Sequence, residues 1–418
     1  MSGAYSPSTH LSPKLVLTVL LSVVYLLLGA MMHAQTYTVL YNFCSQPNCT
    51  DGSTPYSGLI QGPNGNLYGT TAEGGNACKS TGCGTVFELT PDGTYSVLYN
   101  FQGSPDGSVP IEGLFRDSAG NLYGTTAIGG TGDSGTIFEI TSSGNEKVLY
   151  RFTGGNDGYS PQGPLVQDSK GNFFGTTYGG GPYYCFEGYT CGTVFELTPK
   201  GKLRTIYSFT GGTDDGEPAG RLVLSPQGNL YGTTAQSEDL GPMPGTVFEV
   251  TPSGNFTTLY SFLGLKDGGS PLDGLIQDSA GNLYGTTFYG GRLACYDGVS
   301  NGCGVIFEIT KTGKERVLYR FGGKADGEYP IGGVVQDAQG NLYGTTSYGG
   351  DLTCGNGAGC GVIFKKPKKG KEVVLHVFSG SDGEFPSAAL FLDSKGSLYG
   401  TTPYGGANNG GVVFELTP

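Results

Sequence analysis

Ten cysteines are the residues best placed to do covalent chemistry. They fall into five close couples, Cys44/Cys49, Cys78/Cys83, Cys185/Cys191, Cys295/Cys303 and Cys354/Cys360, whose members stand five to eight positions apart. An even cysteine count in an exported chain reads as a set of disulfides. Short loops lose little entropy on closure, so each bridge should add less than the ~3 kcal/mol of a 15-residue loop. Their expected role is to stiffen loops, not to hold the fold together. Zinc is the competing reading, and it needs two couples to converge on one ion. No metal or cofactor is expected. There are only three histidines, two of them near the amino end, which leaves little room for a Ser-His-Asp triad.

The second group with chemical potential is aromatic. Tyr178, Tyr289, Tyr348 and Tyr404 each precede a Gly-Gly pair, and Tyr183, Tyr184, Phe186, Tyr189 and Tyr296 stand close by in sequence. Flat rings beside amides and carboxylates can stack on sugar rings, because they order a large area at little entropic cost. The candidate binding set is therefore Tyr178, Tyr184, Tyr189, Tyr289, Tyr296, Tyr348 and Tyr404. The alternative is that these rings pack against the disulfide loops. Glu73, Glu187, Asp239, Asp297 and Asp351 are loop acids of the type that paired-carboxylate glycoside cleavage uses. Loop acids are usually solvated, and no catalytic residue is assigned.

The elements that must position these residues come from an internal repeat. The string YGTT recurs at Tyr68, Tyr123, Tyr231, Tyr284, Tyr343 and Tyr399, with FGTT at Phe174, at intervals of 51 to 59 residues. Four strand-like stretches surround each copy. In the second they are GLFRD (113–117), NLYGTT (121–126), GTIFEIT (135–141) and EKVLYRF (146–152), here called a, b, c and d. All are rich in β-branched and aromatic residues. Tight turns join a to b and c to d; Thr90-Pro91-Asp92-Gly93 has the Pro and Gly placement of a type I turn. Longer loops join b to c and carry four of the cysteine couples. Loops from d to the next a hold D-G-x-x-P, with its Asp at 51, 106, 157, 267, 326 and 382; the fourth copy, Asp215-Gly216-Glu217-Pro218, reads as one residue short. These Asp could bind calcium, but Asp-Gly is commonly turn chemistry. The glycine of YGTT is expected to admit a neighbouring blade.

Four antiparallel strands at this period make a β-propeller blade. Residues 36–43 form a d strand with no c before it, and 411–418 form a c strand with no d after it. The two ends should pair and close one ring, leaving no sheet edge open at the seam. The predicted fold is all-β, a seven-bladed propeller spanning residues 35–418 as one domain. The b–c and d–a loops should share one rim, and variable loops on a rigid scaffold are where binding usually lives. Blade four has QSEDLGPMPG (236–245) in place of Gly-Gly. Before the a–b turns stand Gln61, Arg116, Gln167, Leu224, Gln277, Gln336 and Leu392. Arg116 could hold an anion if these line the axis, or form a local ion pair. His376 replaces a d-strand tyrosine and is expected to have no role.

Residues 1–34 differ from the rest: Lys14 is their only charge and LVLTVLLSVVYLLLGA (15–30) is apolar. This reads as a signal peptide cleaved near Ala34–Gln35, with an uncleaved membrane anchor as the alternative. The net charge is −12, and −13 without Lys14, which opposes nucleic acid as a partner.

The ordered combination G-L-x-x-D-x-x-G-N-L-Y-G-T-T, G-T-V-F-E-L-T-P-x-G and V-L-Y-x-F resembles the GloVer-type tandem repeat of secreted bacterial proteins, over all seven units from Thr36 to Pro418. Strands a and b are also similar to NHL- and Kelch-like blades. The resemblance implies an exported protein, often held at the cell surface by a carboxy-terminal sorting signal, with no established activity. The last repeat runs to Pro418, and carboxy-terminal anchoring is not expected. The expectation is a secreted, monomeric, non-enzymatic binding propeller at the cell surface, in the periplasm or outside the cell. It would recognise carbohydrate, envelope polymer or another protein, with no membrane contact beyond the leader. A polysaccharide- or peptidoglycan-cleaving enzyme and a structural envelope protein are the alternatives.

Overall fold

A computed structural model describes residues 35–418 apart from 79–80, 187, 236–244, 265, 292–294 and 296–301. Residues 1–34, read above as a signal peptide, together with Glu187, Asp239, Asp297, Tyr296 and most of the blade-four loop, lie outside the described residues. Seven four-stranded antiparallel sheets, each ordered a-b-c-d, account for the repeat. The seventh sheet is closed by the amino-terminal strand Thr36–Asn42, which pairs with Val412–Thr417 so that Thr36 faces Thr417 and Asn42 faces Val412. The ring is a seven-bladed propeller sealed by its own two ends. Among the described residues no helix is long and apolar enough to cross a membrane.

The central strands b and c are buried on both faces, as a sheet flanked by two others must be. Strand c of blade two, Thr136–Ile140, exposes only Glu139 in part, and that carboxylate accepts the Tyr123 hydroxyl from strand b. A phenylalanine just after each strand d meets the strand-c phenylalanine of the next blade edge to face. Phe101 and Phe138 are 5.0 Å apart, and Phe378 and Phe414 are 5.4 Å apart. Phe43 and Phe87 make the same contact at 5.2 Å across the seam. These rings are fully buried, and the geometry is the one aromatic quadrupoles prefer.

Three local expectations change. The glycine of YGTT makes room for its own blade: a Cβ on Gly124 would lie 2.6 Å from Phe138 Cζ and 3.0 Å from Leu114 Cδ2. Strand a is often shorter than its sequence suggests, two residues at Ile60–Gln61 and at Phe115–Arg116. In blades three and four it is longer, Tyr159–Gln167 and Pro218–Leu224, although both contain the proline of the d–a loop. The fourth D-G-x-x-P copy is not short. Asp214 takes the usual Asp place, accepting the Tyr207 hydroxyl at 2.7 Å and the Thr210 N–H at 2.9 Å, and Asp215 occupies the left-handed glycine position at φ 56°.

Candidate functional site: the mouth of the axial channel

Each d–a loop turns toward the axis through a non-glycine residue in the left-handed region, immediately before the proline: Thr54, Val109, Ser160, Glu217, Ser270, Tyr329 and Phe385, at φ between 48° and 62°. Such a conformation costs roughly 1–2 kcal/mol. Hydrogen bonds on both sides hold it. The Val109 N–H bonds Cys83 O of the preceding blade at 3.0 Å, and Val109 O accepts the Ala127 N–H of its own blade at 3.1 Å. Glu217 does the same with Cys191 and Ala235. The b–c loops pair with these turns, as in Gly269 with Tyr289, Glu328 with Tyr348 and Glu384 with Tyr404. Both loop sets therefore share one rim, as the alternation of connections predicts.

All five cysteine couples are bonded as paired in the sequence: Cys44–Cys49, Cys78–Cys83, Cys185–Cys191, Cys295–Cys303 and Cys354–Cys360. Each bridge closes a short loop of the rim, and the backbone at the second cysteine of a b–c bridge also makes a contact with the next blade. Cys360 is fully buried in the core between its blade and the last, and its carbonyl accepts the Phe385 N–H of that next blade at 3.1 Å. Cys83, Cys191 and Cys303 hold Val109, Glu217 and Tyr329 in the same way. This backbone position joins neighbouring blades whether or not it is a cysteine: Ser134 O accepts the Ser160 N–H and Gly410 O the Thr54 N–H, each at 3.0 Å. Cys49 differs because its bridge lies in a d–a loop. It ends the short 3-10 turn Pro47–Cys49, and its carbonyl accepts the Gly52 N–H at 2.8 Å and the Gly75 N–H of the b–c loop at 2.9 Å. It therefore ties the two loop sets of the rim together. Sequence spacing pairs the cysteines but does not show where their carbonyls point.

At the axis on this rim the seven inner strands surround a cavity of about 680 Å³. The strands approach closely: a Cβ on Gly220 would sit 2.1 Å from the Gly274 nitrogen. Among the described residues four charged ones line it: Arg221, in the inner strand Pro218–Leu224, and Glu112, Glu217 and Asp273, which precede the inner strands of their blades. The Glu112 carboxylate accepts the Gly163 N–H of the next blade. Asp273 Oδ1 accepts the Gly274 N–H at 2.6 Å, and its carboxylate also takes the Arg221 backbone N–H. Enclosure by the channel wall pushes the Glu112 carboxyl up to about 7, against the Gly163 bond and with help from nearby Asp273. The same cause pushes Asp273 up to about 6, against its backbone bonds and the Arg221 charge.

The Gloeobacter/Verrucomicrobia repeat pattern matches the sequence three times, over residues 30–239, 187–355 and 245–418. The chain belongs to this repeat family. Among solved structures, the fold of this repeat protein is similar to the extracellular domain of a hybrid two-component system from B. thetaiotaomicron, at 10% identity and TM-score 0.57 over 92% of this chain and 40% of that one. It is also similar to a gluconolactonase from Xanthomonas campestris, at 15% identity and TM-score 0.46 over 94% and 92% of the two chains. A luciferin-regenerating enzyme, 15% identical, covers 73% of this chain and is itself covered over 91%, at TM-score 0.45. At such identities the likeness concerns the fold alone. No functionally curated protein matches the sequence.

The aromatic residues singled out in this repeat protein divide into groups. Tyr178 and Tyr289 line the cavity. Burial and the hydrogen bond to buried Glu217 raise the Tyr178 hydroxyl pKa above its ordinary value. Tyr348 and Tyr404 belong to an arc of ring contacts around part of the mouth, from Phe288 to Tyr329 (4.5 Å), Tyr348 (5.8 Å), Phe385 (4.9 Å), Tyr404 (6.3 Å) and Tyr56 (6.2 Å). The Tyr56 and Tyr404 hydroxyls are hydrogen-bonded. These rings pack chiefly on one another, and Tyr289 and Tyr348 also pack against the cluster holding Cys295 and Cys303. Tyr184 and Tyr189 sit elsewhere, 69% and 60% exposed on a small hairpin of blade three.

The polar residues also sort. Asp351 caps its own turn through the Thr353 N–H and hydroxyl. Glu73 joins the rim through backbone pairing with Ser53. Arg116 lies outside the cavity lining. It packs 6.0 Å from the Tyr68 ring centroid and donates to the Asp117 carbonyl at 3.5 Å, and no ion pair involves it among the described residues. The cation at the axis is Arg221. Sequence reading missed Glu112, Arg221 and Asp273, although the signal was available. Aligned on the leucine of strand a, the other blades carry Ser57, Gly163, Gly220, Gly332 and Ala388 where Glu112 and Asp273 stand, and Gly58, Gly113, Pro164, Gly274, Gly333 and Ala389 where Arg221 stands. These are the positions where the repeat breaks.

Proposed function

We propose that this protein is an extracytoplasmic binding propeller that takes a saccharide, free or as part of an envelope polymer, into the mouth of its axial channel. The observation that carries this reading is the 680 Å³ cavity, where Tyr178, Tyr289 and Phe385 provide apolar faces beside Glu217, Glu112 and Arg221. Concave sites with apolar walls and a few convergent polar groups are the usual form of small-ligand sites. Five disulfides support an oxidising compartment. Screening the purified protein on a glycan array and against envelope fractions tests the reading. Binding should weaken about tenfold in Tyr178→Ala and in Tyr289→Ala, the loss of one ring contact of ~1–1.5 kcal/mol. Absence of binding to every glycan and fraction would remove it.

A second reading, hydrolysis, is favoured by one observation: Glu112 and Asp273 are two carboxyls with raised pKa on one cavity. Both are hydrogen-bonded to strand backbone, which serves to stitch neighbouring blades, so binding is the better-supported reading. Turnover of a polysaccharide that disappears in Glu112→Gln and Asp273→Asn would reverse that order.

A further inference from the structure

The charged groups at the channel mouth are unequally engaged. Asp273 receives the Gly274 N–H and the Arg221 backbone N–H, and its Oδ2 lies where a Cβ on Gly333 would be 2.6 Å away. Glu112 receives the Gly163 N–H, and Glu217 the Tyr178 hydroxyl. Their acceptor capacity is directed, at least in part, to the protein. Arg221 is different. Among the described residues it is the only Lys or Arg lining the cavity, its side chain is exposed, and no hydrogen bond or ion pair within 4 Å engages its guanidinium. Its guanidinium acts on Asp273 through the electrostatic field, while its backbone N–H bonds that carboxylate directly. A guanidinium carries five N–H donors in a planar fork. The guanidinium thus has unused donors, and a ligand that engages it must supply acceptors with the geometry of that fork.

We propose that Arg221 makes this mouth a receptor for carboxylated saccharides, with the sugar carboxylate on the guanidinium and the ring against Tyr178 or Tyr289. This rests on the saccharide reading above and deepens it. The planar fork matches a carboxylate in two parallel N–H···O bonds, which hydroxyls of a neutral sugar cannot reproduce. Among the described residues six ionisable groups line the cavity besides Arg221: the carboxyls of Glu112, Asp273 and Glu217 and the phenols of Tyr56, Tyr178 and Tyr289. Glu112 holds its proton up to about pH 7, which lessens repulsion of an anion under mildly acidic conditions, and the Tyr178 hydroxyl stays neutral.

The test is calorimetric titration of the full chain at pH 6 and low salt, with a galacturonic acid trisaccharide and with the corresponding galactose trisaccharide. The uronate should bind at least tenfold more tightly, since charge-assisted bonds contribute more than neutral ones. Arg221→Gln should erase that preference, so that the two sugars bind with equal affinity, and Arg221→Lys should restore part of it. Melting curves of both variants check that the propeller is intact. Equal affinity for the two sugars, or a preference that survives in Arg221→Gln, overturns the inference but leaves the saccharide reading standing. Binding of neither sugar here, together with a silent glycan array, overturns both.

Discussion

His376 stands where six other blades carry a tyrosine, and it keeps that tyrosine's partner. Tyr99 donates to Asp106 and Tyr319 to Asp326; His376 Nε2 lies 2.9 Å from Asp382 Oδ2, and its ring stacks on Tyr37 at 3.7 Å. The substitution is half-buried and structurally conservative: a ring nitrogen replaces a phenol as the partner of a loop carboxylate. Burial would raise the Asp382 carboxyl, but His376 and the Ser379 N–H and hydroxyl overcome it and hold it below its ordinary value. Asp278 and Asp337 are lowered in the same way, burial being outweighed by the N–H groups of Asn282 and Asn341. A carboxyl depressed in the folded state contributes stability above its unfolded pKa, and that contribution is lost as pH falls through the folded one. Glu146 and Glu372, pushed up to about 7 by burial beside Asp106 and Asp326, act in the opposite sense: they favour folding at low pH and lose that effect as pH rises toward 7. Calorimetric melting should show a maximum at mildly acidic pH and a fall below about pH 4. Asp382→Asn should flatten part of that fall; an unchanged acid limb would refute the assignment.

At the scale of one blade, the recurrent pair is a glycine in strand b facing a phenylalanine in strand c. Gly124 opposes Phe138 in register, and the ring occupies the space a side chain would take. Gly124→Ala should destabilise by about 1–3 kcal/mol, the range of overpacking in a filled core. Adding Phe138→Leu should recover part of that loss, making the two changes non-additive in urea melts. Strict additivity would mean that the ring and the glycine do not share the space. The repeat made this pair visible in sequence, since both residues recur seven times. It did not reveal which neighbour fills the gap, because strand alternation alone does not say whether a ring leans across its own sheet or onto the next.

At the scale of the whole molecule, closure depends on one strand pair. Deleting residues 36–43 removes the partner of Val412–Thr417, opens an edge strand and takes Phe43 off Phe87. The truncated chain should lose monomeric solubility and its cooperative melt, measured by size-exclusion chromatography and circular dichroism. An unaltered monomer with the same melting temperature would show that the seam contributes little. Cohesion elsewhere is spread over equivalent contacts, so the loss of one should matter less than loss of the seam, which completes every blade's contact with two neighbours.

The blade count, the pairing of the two ends, the tight-turn chemistry and the disulfide couples were all legible in the sequence. Each depends on short-range patterns: period-two alternation, Pro and Gly at turn positions, cysteines a few residues apart. Tertiary structure alone decided which groups meet. It turned the carbonyl of Cys360 onto the next blade and that of Cys49 onto the neighbouring loop, which spacing could not foretell. Glu112, Arg221 and Asp273 are 109 and 52 residues apart along the chain, and they share one cavity only because seven inner strands converge on a common axis. The same convergence brought Tyr178 and Tyr289 to that cavity and left Tyr184 and Tyr189 on an outlying hairpin, although sequence treats them alike. A repeat dictates the shape of each unit through local forces; what stands at the centre is set by the angle at which units pack, which no single unit encodes.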